Sequence, residues 1–337
     1  MGDSISQAGV TAIVCCHNSA AVITPTLKAL SRQEIPSACG YEVILVDNNC
    51  SDETVELARQ AWQGMGFPLR IEREDTPGLI HARKRGVAAA RYDVVMFVDD
   101  DNALAPDWVV KIRALFRERP DIGIIGGRNI ADIQGAKPWW FDRFESMYAC
   151  GPRAEAAALN PKKNFGAGLA FRTPLIRSVL FSELPLFLTG RTGAQLTLGE
   201  DSEMVMRSQL LGWDFFYDPS LILRHRILGK RLQWAYLKEL AGEGGKAWIL
   251  LHIYQRLLEK KEPLTGGLLF WEILGRWLRF IKKHRWKIFT KAGEGAWSSI
   301  GYARLLGMKR GWWQTKGRYM AIRKQIMNHF APTADKG

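Results

Sequence analysis

The chain has 337 residues, 47% of them apolar and 24% charged, which excludes a disordered polypeptide and is enough to fill one large core or two smaller ones. Its formal net charge of +13 is unevenly spread: residues 1–220 carry 23 Lys and Arg against 27 Asp and Glu, whereas residues 221–337 carry 24 against 7, together with 8 of the 13 tryptophans. Five cysteines (Cys15, Cys16, Cys39, Cys50 and Cys150), with no C-x-x-C spacing, make neither a disulfide framework nor a zinc site and fit a reducing cytoplasm.

The N-terminal "MGDSIS" formally matches a myristoylation pattern at Gly2, too short a match to carry weight. It lacks the basic and then apolar pattern of a signal peptide, and no stretch reaches the roughly 18 uncharged residues a spanning helix needs. Apolar, β-branched runs follow at "VTAIVCC" (10–16), "YEVILVD" (41–47), "DVVMFVD" (93–99) and "IGIIGG" (122–127). They have the length and continuity of buried parallel strands. Between them "TVELARQAW", "GLIHARKRGVAAARY" and "PDWVVKIRALFRERP" read as helices. The alternation predicts an α/β fold around a doubly wound, mostly parallel sheet.

Ligands of such sheets sit beyond the carboxyl ends of the strands. That rule lines up His17 and Asn18, then Asp47, Asn48 and Asn49, then Asp99, Asp100 and Asp101 along one edge. The first strand-to-helix turn, "CCHNSAAVI", has no glycine, and no Walker A loop is present, so neither a dinucleotide nor a P-loop site is supported. Carboxylates alone would repel a nucleotide's phosphates. Carboxylates holding Mg²⁺ or Mn²⁺ would bridge to them, and the D-x-D spacing lets Asp99 and Asp101 reach one side of the chain together. The other reading is a solvated acidic turn or helix cap, with Asn102 and Asp107 serving a helix that begins near Pro106.

"VILVDNNCSDET", "DTPGLIHARKRG", "VDDDN", "NFGAGLAFR" and "GEDSEMVMRSQLLGW", in that order, resemble the family 2 glycosyltransferases of GT-A fold over about residues 10–228. The resemblance implies roles residue by residue. Asp47 would contact the nucleotide base and Arg83 would lie near the nucleotide. Asp99, with Asp100, would serve the nucleotide-sugar, and Asp101 would be the principal metal ligand. Gly166 and Gly168 would line the acceptor side. In "GEDSEMVMR" the base that deprotonates the acceptor hydroxyl would be Asp201, with Glu200 beside it on the acceptor side. A carboxylate at a helix N-terminus is held ionised by the dipole and is free to take a proton. His225 in "LILRHRILGK" matches a downstream metal- or diphosphate-reaching histidine. Each has a plainer reading: a turn former for Asp47, a solvated helix face for Arg83, a bulged strand for the glycines, a cap for Asp201 and a buried polar side chain for His225.

The implied activity is metal-dependent, inverting transfer of one sugar from a nucleotide-sugar, by default a UDP-sugar, to a glycan or lipid-linked acceptor, in cell-surface polysaccharide synthesis. "QWAYLKEL" and "RWLRF" do not supply the Q-x-x-R-W motif of processive members. A catalytically inactive carbohydrate-binding protein of the same fold is the competing reading, and retention of Asp47, Asp99, Asp101 and Asp201 argues against it.

The chain divides near residue 230. Beyond it, "GLLFWEILGRWLRFIKKHRWKIFTK" sets Glu272, Arg276, Arg279, Lys283 and Lys287 at steps of three and four along one stripe, with Trp271, Trp277 and Phe280 among the apolar remainder. The expectation is a basic amphipathic helix on an anionic membrane surface, at the inner face of the plasma membrane, or else a helix packed on the catalytic part with a basic outer face. Nucleic acid as a partner leaves the acidic strand ends unexplained.

Overall fold

Each of the four apolar runs becomes a strand in the computed structural model, which describes residues 7–162, 166–191, 196–284 and 293–331. In chain order the elements are β1 (Gln7–Cys16), α1 (Ile23–Ser31), β2 (Gly40–Asp47), α2 (Thr54–Ala61), β3 (Leu69–Arg73), α3 (Leu79–Ala89), β4 (Tyr92–Asp99), β5 (Asn102–Leu104), α4 (Trp108–Glu118), β6 (Ile122–Gln134), α5 (Phe141–Phe144), β7 (Ala158–Leu159), β8 (Ala170–Arg172), α6 (Thr173–Leu180), α7 (Glu200–Leu210), β9 (Asp214–Leu228), α8 (Trp234–Leu258), α9 (Gly266–His284), α10 (Trp297–Thr315) and α11 (Tyr319–His329).

The sheet runs β3-β2-β1-β4-β8-β6-β9-β5, with β7 beside β9. β1, β2, β3 and β4 are mutually parallel, the doubly wound core that the sequence predicts. Period-two alternation sends Val10, Ala12 and Val14 of β1 into one apolar layer with α1 and α4, and Ile13 into the opposite layer with α3, α6 and α7. The "IGIIGG" run departs from expectation: β6 is parallel to β9 but antiparallel to the short β8, so the sheet changes direction past β4. The helix after the acidic triplet starts at Trp108 rather than Pro106. Asn102 does not cap it but opens β5 opposite His225, while Asp107 pairs with Lys111 at 2.6 Å.

The division near residue 230 falls just past β9. Among the described residues four α-helices follow, and α8 and α10 pack backbone to backbone: a Cβ on Gly245 would overlap the Arg304 carbonyl, and one on Gly307 would overlap that of Gly242. An apolar cluster joins α8, α9, α10 and α11 to Leu184, Phe187, Leu188 and Met206 of the preceding part. The charged stripe expected on α9 is only partly outward. Arg276 stacks over the Trp248 ring at 4.7 Å and bonds Glu272 at 2.9 Å, while Trp277 and Phe280 pack inward. Trp271 (65% exposed), Leu278 (59%), Leu268 (57%) and Ile281 (46%) face out instead. Lys287, like Gly2, lies outside the described residues. Among the described residues no helix is long and apolar enough to cross a membrane.

Candidate active site

Parallel pairing levels the strand ends. Cys16 stands opposite Asp47 and Cys15 opposite Asp99, so Asp47 and Asp99 end strands that flank β1, about 10 Å apart. Asp47 Oδ1 accepts the Cys50 N–H at 2.9 Å, which closes the turn that begins "DNNC". Asn48 holds the same corner, donating to the carbonyls of Glu74 and Thr76 at 2.9 and 2.7 Å and accepting the Gly78 N–H at 2.8 Å. The β2 end is therefore a fixed ledge, with Asp47 on its rim.

The three aspartates have three different fates. Asp100 accepts a short hydrogen bond from the Ser19 hydroxyl, and its carbonyl accepts from Thr26 Oγ1 at 2.7 Å, so it ties β4 to the first turn of the fold. Burial, with Asp101 beside it, lifts its carboxyl to about 7. Asp99 is half-buried and is raised too, by burial and then by Asp101. Asp101 is buried, and burial alone would raise it. His225 and Arg231 outweigh that and hold it at about 2. Its Oδ1 lies 3.5 Å from His225 Nε2 and its Oδ2 2.7 Å from Arg231 Nη1. Register creates this cluster. Asn102 pairs with His225, and the Arg226 N–H donates to the Asp101 carbonyl at 2.8 Å, so β9 delivers His225 to the acidic turn. Cys150 Sγ stands 3.8 Å from His225 Nδ1 on the far side of the ring. The imidazole is raised well above its ordinary value, because Asp101 overcomes its burial.

A second cluster forms where α7 meets α3. Arg83 is 2% exposed and pairs with Asp201 Oδ1 at 2.6 Å and Glu200 Oε1 at 4.0 Å, with its guanidinium 5.1 Å from the Phe97 ring centroid. It is no solvated helix-face residue. Burial would lower it, but Asp201, Glu200 and Asp99 together keep it raised. Glu200 is pushed up to about 8 by burial and by Asp201. Gly166 leaves the room in which Asp201 sits, since a Cβ there would overlap Asp201 Oδ2. Gly168 adopts φ +71°, and a Cβ there would stand 2.8 Å from Leu223. Below Asp201 on α7, Glu203 accepts the N–H groups of Phe187 and Leu188 and binds Arg207 (2.7 Å) and the Tyr254 hydroxyl of α8 (2.7 Å).

The acidic strand ends, the β9 histidine and the carboxylates at the start of α7 thus share one edge of one sheet. A model of glycosyl transferase family 2 matches residues 11–179, half of the chain. The chain belongs to glycosyl transferase family 2. This family 2 chain is 22% identical over 198 residues to a glucosyl-dolichyl phosphate glucuronosyltransferase of Haloferax volcanii, covering 58% of the chain and 62% of that protein, so it spans about three-fifths of that relative's length. It is 28% identical over 130 residues to a hyaluronan synthase of Pasteurella multocida, covering 39% of the chain and 13% of the synthase. Among solved structures, residues 1–349 of S. aureus TarS superpose with a TM-score of 0.50 at 15% identity, over 93% of this chain and 91% of that one. The same TarS fragment in complex with UDP gives a TM-score of 0.50 at 14% identity, over 90% and 91%. At that identity the likeness speaks for the fold.

Sequence reasoning missed Arg231, Ser19 and the Glu203–Arg207–Tyr254 network. Arg231 follows β9 in "GKRLQW", where nothing marks one basic residue among several, and only the β5–β9 register brings it to Asp101. Arg153 was also missed. It is buried, reaches the carbonyls of Gly127 and Ala167 at 2.9 and 3.2 Å, and is lowered to about 10 by that burial.

Proposed function

We propose that the chain transfers a single sugar from a nucleotide-sugar, with a UDP-sugar favoured, to an acceptor hydroxyl, with inversion and with the help of Mn²⁺ or Mg²⁺. The observation that carries this is that the Asp101–His225 pair and the Asp201–Arg83 pair both lie close enough to Asp99, at the end of β4, to act on its charge. In this reading Asp47 and Asp99, which end the strands on either side of β1, hold the nucleoside between them. Asp100 fixes the turn through Ser19 rather than touching the donor.

Asp101 and His225 suit a divalent cation chemically. Once the imidazole gives up the proton that Asp101 favours on it, they would offer one carboxylate oxygen and one imidazole nitrogen, 3.5 Å apart. Among the described residues no group of three or more His, Cys, Asp or Glu could hold a metal, so the remaining positions would go to diphosphate and water. Bound there, the cation would offset negative charge on the departing diphosphate. Arg231, on Asp101 Oδ2, is a second positive charge within reach of the same diphosphate.

Asp201 acts as the base. Arg83 orients its Oδ1, and the Gly166 backbone leaves its other oxygen room. A proton taken from the acceptor hydroxyl frees the oxygen to attack the anomeric carbon as the carbon–diphosphate bond breaks on the opposite face. Glu200, raised to about 8 by burial and by the neighbouring Asp201, keeps its proton at neutral pH.

The division into a catalytic part, 1–230, and a helical part, 231–337, belongs to this reading, as does a lipid-linked acceptor in cell-surface glycan synthesis. Two features support the acceptor class: the exposed apolar residues of α9 beside a strongly basic C-terminal third, and the Haloferax volcanii relative, whose name refers to a dolichyl phosphate-linked sugar. The chain would then work peripherally on the inner face of the plasma membrane, its basic surface held by anionic lipid. Thermal unfolding with a panel of nucleotide-sugars, with and without Mn²⁺, tests the core of the proposal. One donor should stabilise the protein only with metal, and Asp101→Ala should abolish that stabilisation while the protein remains folded. Metal-independent stabilisation that survives Asp101→Ala refutes the metal assignment. Metal-dependent stabilisation without donor turnover, with any acceptor or with water, marks a binding protein instead.

A further inference from the structure

Away from the acidic sheet edge, α8, α9 and α10 line an open groove, a cavity of about 370 Å³ that faces solvent, whose walls carry Arg276, Arg279 and Arg304. Trp248 and Phe280 form its sides, with Met308 among its apolar lining. None of its lining residues belongs to the sheet, to α3 or to α7, so the cavity is separate from the Asp101 and Asp201 clusters. Three guanidinium groups face one carboxylate: Glu272 bonds Arg276 at 2.9 Å and stands 3.8 Å from Arg279. Arg304 makes no ion pair or side-chain hydrogen bond with any described residue; it is exposed at the wall of the groove and feels the like charge of Arg276. Like charges set along one groove give a local positive potential that attracts an anion. Guanidinium groups are the side chains best matched to phosphate oxygens.

The setting narrows the anion. Arg279 lies on the edge of α9 that adjoins its exposed strip, where Leu268, Trp271 and Leu278 face outward. An anion that enters beside that strip meets charge in the cavity and apolar surface outside it, the two halves of an amphiphile. We propose that this cavity binds the phosphate of a phosphorylated lipid headgroup, with Arg276, Arg279 and Arg304 on the phosphate and the outer face of α9 in the acyl boundary. The source of the phosphate rests on the membrane reading above, whereas the cavity's preference for phosphate does not.

The test is calorimetric titration of the full chain with a short-chain phosphatidic acid below its micelle concentration, with inorganic phosphate, and with a short-chain phosphatidylcholine. The phosphatidic acid should bind saturably, one per chain, and more tightly than phosphate; phosphatidylcholine should not bind. Arg304→Gln, which removes a charge that has no protein partner, should weaken binding roughly tenfold or more. Arg279→Gln, at a mostly exposed side chain, serves as a second variant should the first lose its fold. Lys324→Gln, the same charge change on α11, should cost less than about twofold. Flotation on phosphatidylcholine vesicles doped with phosphatidic acid should follow the same order. Equal losses in Arg304→Gln and Lys324→Gln, or none in either arginine variant, overturn the site. Phosphate binding as tight as the lipid's overturns the lipid source and leaves a free-phosphate site. Donor hydrolysis should be unchanged in Arg304→Gln, and an unaltered protein that binds lipid but never hydrolyses donor would fail the transferase reading alone.

Discussion

Replacing Glu200 by Gln should make the protein more stable, and more so as pH rises. Glu200 is buried at the start of α7 beside Asp201, its nearest cation is Arg83 at 4.0 Å, and its Oε2 has no hydrogen-bond partner among the described residues. Its carboxyl goes from an ordinary 4.5 to about 8 in the fold. A group raised in this way favours the native state below about pH 4.5, and that contribution is lost as pH climbs through about 8. At about pH 7 roughly two and a half pH units of the interval have been crossed, a loss of at most about 3 kcal/mol. Gln keeps the shape and cannot ionise, so it avoids the loss. Urea unfolding of the two proteins without donor should give nearly equal stabilities at about pH 4 and a gain for Glu200→Gln, up to about 3 kcal/mol, at neutral pH. Since Asp201 still neutralises Arg83, donor affinity should be unchanged. A gain of the same size at both pH values, or a loss at neutral pH, would refute the assignment of a buried, protonated Glu200.

Asp201→Asn should lower turnover by roughly a hundredfold or more with donor affinity nearly unchanged, as single-turnover kinetics and donor titration can show. Gly166→Ala should displace the Asp201 carboxylate, so that turnover falls while metal-dependent donor binding persists in the same two assays. Glu203→Leu leaves the buried Arg207 without its counter-charge and should cost about 3–5 kcal/mol by denaturant unfolding, lowering the melting temperature before any effect on the donor is seen.

The α/β part of the fold was largely legible because its signals are local. Continuous β-branched runs mark buried parallel strands, so the α/β architecture, and the places of Asp47 and Asp99 at the ends of β2 and β4, could be read from the chain alone. What stayed hidden depends on pairing between distant segments. His225 was only a histidine after an apolar run until β9 set it opposite Asn102, and Arg231 was one basic residue among several until the same register carried it to Asp101. Arg83 read as part of a basic helix face, yet Asp201 arrives from more than a hundred residues away to bury it. On α9 the three-and-four spacing identified a helix with two faces but assigned them imperfectly, because Trp248 of α8 recruits Arg276 as a packing partner.

The long helix α8 has a further consequence, for how such proteins can be recombined. It starts three residues after Arg231, which holds Asp101, and near its far end Tyr254 holds Glu203, two residues along α7 from Asp201. It is a strut pinned to both halves of the site. A chimera that borrows a relative's C-terminal helices should therefore be spliced between Leu258 and Gly266, keeping α8 with its own catalytic part. The donor's counterpart of α10 would have to bring small residues where Gly307 and Gly311 now sit, because the face of α8 at Gly242 and Gly245 leaves its neighbour no space for side chains.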